Sequence, residues 1–149
     1  MGTEQGIDPT STAQFSAITL NAPSEDQLIP EPLNADDRAA VAALPPHSAL
    51  LIVQRGPNVG ARFLLDTAVT TAGRKPSADI FLDDTTVSRR HAEFHATERG
   101  FEVRDQGSLN GTYVNRERID SCPLRSGDEV QIGKYRLTFV ASPNRAAQA

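Results

Sequence analysis

The sequence predicts an all-β fold, a sandwich of about ten to eleven short strands preceded by a disordered arm. Three observations carry this. From Ala49 onward, short apolar or alternating runs are separated by turns rich in Gly, Asn, Asp and Pro. No segment after Pro46 sustains a helical period. Before Pro45-Pro46 the composition is different: acidic, proline-broken and poor in aromatics.

In chain order, residues 1–33 read as disordered, because Pro9, Pro23, Pro30 and Pro32 break any helix and the apolar residues follow no period. Residues 34–44 suit a short helix with Asn34 as N-cap and Asp36 and Asp37 in the first turn, where the helix dipole favours negative charge. Pro45-Pro46 ends it, which divides the chain into an arm (1–44), a domain (45–141) and a flexible tail (142–149). Ala49 to Val53 is a buried strand, Gly56 to Gly60 a turn, and Arg62 to Leu65 its hairpin partner. Thr70 to Ala72 leads into Gly73-Arg74. Asp79 to Leu82 is a short strand closed by Asp83-Asp84. Arg90 to Thr97 alternates with Ala92, Phe94 and Ala96 on one face. Phe101 and Val103, then Tyr113 and Val114, continue the half-buried pattern, and Val130 to Phe139 closes it with a hairpin around Gly133-Lys134.

Charge and composition narrow the function. The 149 residues carry a formal net charge of -4, which argues against general nucleic-acid binding. Residues 1–44 hold seven acids against Arg38, a net of -6, whereas the remainder holds 12 acids and 14 bases, a net of +2. The arm and the domain are thus of opposite sign. No apolar run approaches the roughly 20 residues of a membrane span, and the N-terminus lacks the pattern of a signal peptide, so a cytoplasmic protein is expected. The single Cys122 excludes an internal disulfide and a cysteine metal cluster, and no cofactor is expected.

Three polar clusters fall on successive turns: Gly73-Arg74, Ser88-Arg89-Arg90-His91 and Gly107-Ser108-Leu109-Asn110-Gly111-Thr112. Together they supply guanidinium forks and hydroxyl or amide donors, the groups that hold a phosphate monoester. Alone, Asn110-Gly111 reads as a hairpin turn, Arg89-Arg90 as a solvated pair and His91 as a loop prop. Other chemistries find less support. Ser88, His91 and Asp105 are the ingredients of a nucleophile triad, but Ser88 has no strained elbow around it. His91 and His95 are four apart on a strand rather than a helix, so neither a metal site nor a catalytic residue is expected.

The order Gly-Arg, Ser-x-x-His, Asn-Gly at 73–74, 88–91 and 110–111 resembles the forkhead-associated (FHA) domain, a phosphothreonine-binding β-sandwich, over residues 48–141. The resemblance implies that Arg74 and Ser88 contact the phosphate, that Arg89, Ser108 and Leu109 flank it, and that Asn110 holds the ligand main chain. Gly73, His91 and Gly111 would be architectural. The stretches 63–66, 79–84, 86–94 and 107–117 further resemble the actinobacterial FHA family of glycogen accumulation regulators and oxoglutarate dehydrogenase inhibitors. That family implies a serine/threonine kinase that phosphorylates an N-terminal arm, self-docking of the arm, and regulation of 2-oxoglutarate dehydrogenase or a glutamate-metabolising enzyme. The family's Glu-Thr-Thr-Ser-Val-Phe arm is replaced here by Thr10-Ser11-Thr12-Ala13-Gln14-Phe15. This register nominates Thr12 or Ser11 for phosphorylation. A plain phosphopeptide adaptor, with the arm as a solubilising leader, is the alternative.

Overall fold

The structure, a computed structural model, describes residues 33–144. Two antiparallel-dominated sheets face each other. The first has six strands in the order β2 (Arg62–Leu65), β1 (Ala49–Arg55), β11 (Tyr135–Ala141), β10 (Glu129–Ile132), β7 (Thr112–Val114) and β8 (Glu117–Ile119). The second has five, in the order β4 (Ile80–Phe81), β3 (Val69–Gly73), β5 (Ala92–Thr97), β6 (Gly100–Asp105) and β9 (Ser121–Leu124). Only β3 and β4 pair in parallel. Both hairpins expected from the sequence form, with Ala49 opposite Leu65 and Ile132 opposite Tyr135.

Alternation places the core. Ala49, Leu51 and Val53 of β1 meet Phe94, Phe101, Val103, Ile132, Leu137 and Phe139 between the sheets. Phe101 and Phe139 touch edge to face, with ring centroids 6.1 Å apart. The intervening Leu50 and Ile52 point to the opposite face of the sheet, yet they too are buried. The cause is α1 (Ala35–Ala42), which lays Val41 over Leu50, Ile52 and Val140, flanked by Leu33 and Leu44. This explains why β1 is apolar at every position from 49 to 53.

Helix α1 forms as its sequence dictates. The Asn34 side chain accepts from the Asp37 N–H at 2.7 Å, and Asp36 and Asp37 occupy the first turn. Asp37 is buried and paired with Arg62 Nε at 3.1 Å, fastening the helix to β2. At the other end Asn144 Nδ2 donates to the carbonyls of Ala42 and Leu44, and Ser142 Oγ also donates to Leu44. Among the described residues, α1 and residues 142–144 therefore pack with the body, across the divisions at 45 and 141 that the proline pair and the polar tail suggested. What residues 1–32 do, including the expected disorder around Ser11 and Thr12, lies outside the described residues.

Strands β8 and β9 are not apparent in the sequence. Glu117-Arg118-Ile119 is too polar, and Pro123 sits inside Ser121–Leu124. Each lies at the end of its sheet, where polar residues and a proline are tolerated because one side of the strand needs no ladder partner.

Candidate functional site

The connections after β3, β4 and β6 meet the β10–β11 turn at one end of the sandwich, forming a crest. Gly73 is essential to this approach. Its φ is not positive, so its role is not to turn the chain. A Cβ there would run into the carbonyl of Arg89 and, at 3.1 Å, that of Ser88. The two backbones are joined instead by Arg74 N–H donating to Ser88 O at 2.9 Å and His91 N–H to Ala72 O at 3.0 Å.

Arg74 is aimed by one bond, Nε to the Val87 carbonyl at 3.0 Å. The terminal nitrogens of its fork have no partner among the described residues. Ser88 Oγ accepts from the Leu109 N–H at 3.0 Å, leaving its hydroxyl hydrogen available. Arg89 is exposed beside them, and its guanidinium has no partner among the described residues. Arg74, Ser88 and Arg89 of the predicted set thus each keep donors to spare.

The rest of the set is committed to the loop. Ser108 is buried, its hydroxyl donating to Asp105 and accepting from Gly111 N–H at 3.0 Å, so it braces the loop from inside. Leu109 spends its N–H on Ser88 and leaves its side chain 85% exposed at the apex. Asn110 is exposed, with Nδ2 donating to Thr86 O at 2.9 Å and its carboxamide oxygen still open. Asn110-Gly111 is no hairpin turn: it crosses from β6 in one sheet to β7 in the other. Gly111 has φ +86°, a conformation open to glycine and costly for a side chain, and a Cβ would press on Arg118 at 2.9 Å.

His91 ties the two loops together. Nδ1 accepts from Ser88 N–H at 3.0 Å, so Nε2 carries the proton and donates to the Gly111 carbonyl at 2.9 Å. Burial holds its pKa below 6.5, although the Gly111 carbonyl and Asp105 oppose that shift. The imidazole is therefore neutral and fully occupied by backbone. It does not meet the Ser88 hydroxyl, so the triad geometry is not formed. His91 is fully buried just ahead of β5, whereas His95, four residues on, is half-buried with its Nε2 meeting Glu93 Oε1 at 2.9 Å.

Two residues outside the predicted phosphate set organise the crest. Asp105 takes four donors: the Ser108 and Thr112 hydroxyls on Oδ1, and the Gly107 and Ser108 N–H groups on Oδ2. Burial pushes its carboxyl up, but these four bonds outweigh that and hold it below 3.8. Thr86 links three segments. Its N–H and hydroxyl bind Asp84, its carbonyl receives Asn110, and its Oγ1 accepts Lys134 N–H at 2.9 Å. Asp84-x-Thr86 and Asp105-x-Gly107 are Asx-turn patterns, a signal present in the sequence.

Among the described residues no helix is long and apolar enough to cross a membrane. The FHA domain family profile matches residues 70–133. The chain is 58% identical over 133 residues to the oxoglutarate dehydrogenase inhibitor of Corynebacterium efficiens, covering 89% of each. It is 64% identical over 107 residues to the glycogen accumulation regulator GarA of Mycobacterium tuberculosis, covering 72% of this chain and 66% of that one. Among solved structures it resembles M. tuberculosis EmbR in complex with a low-affinity phosphopeptide. There the TM-score is 0.59 at 32% identity, covering 68% of this chain and 26% of that one. With the fold, the crest and these relatives in agreement, the chain belongs to the FHA-domain family of glycogen accumulation regulators and oxoglutarate dehydrogenase inhibitors.

Proposed function

We propose that the crest binds phosphothreonine and that the protein is a kinase-controlled regulator of 2-oxoglutarate and glutamate metabolism, switched by its own phosphorylated arm. The observation that carries the phosphate reading is the juxtaposition of the Arg74 fork and the Ser88 hydroxyl. Both are oriented by protein bonds, and both keep donors for a ligand. Arg89 adds a second cation, and the open oxygen of Asn110 suits a ligand N–H. Ser108 serves as the brace beneath them, and Leu109 flanks the phosphate with its apolar side chain.

Two features support the switch. Residues 1–32 carry five acids and no base, and the crest presents the cations Arg74 and Arg89, so phosphorylation of Thr12, or of Ser11, adds about two negative charges that those cations attract. The anchor of α1 also shortens the tether. About 21 residues separate Thr12 from Leu33, and a flexible chain of that length spans roughly 25 Å root-mean-square. The register places the Asp37 end of α1, held by Arg62 opposite Ile52, nearer the crest than its Ala42 end. Tethering at millimolar effective concentration would fill even a micromolar site. By analogy with the inhibitor relative, the open form binds 2-oxoglutarate dehydrogenase or a glutamate-metabolising enzyme through the crest, and the docked arm displaces it.

Phosphorylating the full chain with a serine/threonine kinase and following backbone amides by NMR tests this. Arg74, Ser88, Leu109 and Asn110 are expected to shift, and Thr12→Ala to abolish the shift. Crest signals that stay put after stoichiometric phosphorylation, yet move on adding a separate phosphopeptide, would establish the adaptor alternative instead.

A further inference from the structure

Beside the crest, on the side of the five-stranded sheet, lies a second basic feature that shares only Arg89 with the predicted phosphate set. A cleft of about 230 Å³ is lined by Lys75, Ser77, Arg89, Arg90, Glu93 and Gln106, among others. The cleft is built into the phosphate loop, since Lys75 N–H donates to Arg89 O at 3.3 Å and Arg74 N–H to Ser88 O at 2.9 Å. Its three cations carry no ion pair or hydrogen bond on their side chains among the described residues. Its one carboxylate, Glu93, is bonded to His95 Nε2 at 2.9 Å. Unpaired like charges crowded around a concavity repel one another, and an anion entering it relieves that repulsion while collecting charge-assisted bonds.

We infer that this cleft is a subsite for a second anionic group on the peptide, lying N-terminal to the phosphothreonine. The inference rests on the phosphothreonine reading above and extends it. The direction comes from the chain's own arm. Around Thr12 the nearest carboxylate, Asp8, lies on the N-terminal side, together with the adjacent hydroxyls of Thr10 and Ser11, whereas the first hydroxyl on the other side is Ser16. Ala13, Gln14 and Phe15 follow on the other, and the next acid is Glu25. A peptide seated with Thr12 at Arg74 and Ser88 can match the cleft in charge only with its N-terminal half. Its C-terminal half then runs toward the groove formed by Thr86, Tyr113 and Gln131 on the far side of Asn110. The subsite accepts either a carboxylate or a second phosphate, with Lys75 and Arg90 as the residues that distinguish it from the phosphothreonine site.

The test is calorimetry of the unphosphorylated full chain with synthetic peptides spanning residues 6–18. One peptide is phosphorylated at Thr12 alone, one carries Asp8→Asn in addition, one is phosphorylated at Thr10 and Thr12, and one at Thr12 and Ser16. Relative to the first, phosphate at Thr10 is expected to tighten binding about three- to tenfold and Asp8→Asn to weaken it about two- to threefold, while phosphate at Ser16 gives no gain. In the Lys75→Gln/Arg90→Gln protein both N-terminal effects disappear and the phosphothreonine dependence remains. Equal gains from Thr10 and Ser16 phosphate, or a Thr10 gain undiminished in the variant, would overturn the subsite and leave the phosphothreonine site standing. Failure of every phosphopeptide to bind would remove that underlying reading, and the subsite with it.

Discussion

Asp105→Ala offers a demanding test of how the crest is held together. The carboxylate receives two hydroxyls and two N–H groups, and these four losses are unequal. Gly107 is exposed, so its N–H recovers a water partner at little cost. Thr112 is 0% and Ser108 8% exposed, so their hydroxyls lose a charged acceptor where water does not easily follow. Bonds to charged groups are worth roughly 1.5–3 kcal/mol each, and the two that matter put the loss of stability at about 3–6 kcal/mol. Urea unfolding of the full chain measures it. The acid limb offers a second readout. The Asp105 carboxyl titrates below 3.8 when folded, so its contribution is complete above 3.8 and is lost as pH falls through the lower folded value. Phosphopeptide affinity should drop about tenfold as well, because the Leu109 amide that positions Ser88 sits on the loosened loop. A variant within about 0.5 kcal/mol of the parent, the range of inert surface changes, would refute the view of Asp105 as the hub.

Two further outcomes follow from the same geometry. The His91 imidazole binds its proton less readily when folded, so stability declines as pH falls below 6.5 and levels off only beneath the folded value; its ring signals in an NMR titration should hold steady while the pH first passes 6.5. A chain beginning at 45 leaves Leu50, Ile52 and Val140 without their cover, and it should melt lower and bind more of a hydrophobic dye than a chain beginning at 33; equal melting temperatures would mean that α1 contributes nothing.

The sequence disclosed most where one physical requirement acts at a time. Alternation in 92–97 and 135–139 and the apolar run 49–53 each mark a strand, and the Gly-Arg, Ser-x-x-His and Asn-Gly clusters mark the loops that meet at the crest. It disclosed less where the cause is tertiary. The edge strands β8 and β9 are defined by a neighbour rather than by their own composition. Helix α1 looks marginal alone, and its docking depends on the outer face of β1 and on an Asp37–Arg62 pair separated by 25 positions. Gly73 was legible as a special glycine, but the reason is the backbone of Ser88 and Arg89, fifteen residues on. Ser108 and Asp105 show the same limit. A serine and an aspartate in a phosphate-binding pattern look like donor and bystander, whereas the fold makes them a brace and the acceptor that holds it.

The central claim, that Arg74 and Ser88 form a phosphothreonine site, is tested most directly by calorimetry of the full chain with the residue 6–18 peptide in phosphorylated and unphosphorylated forms. The Thr12-phosphorylated peptide should bind, the unphosphorylated one should not, and Arg74→Ala should weaken binding about ten- to a hundredfold, the loss of one or two charge-assisted hydrogen bonds. Equal affinity for the two peptides, or full affinity in Arg74→Ala, would contradict the account.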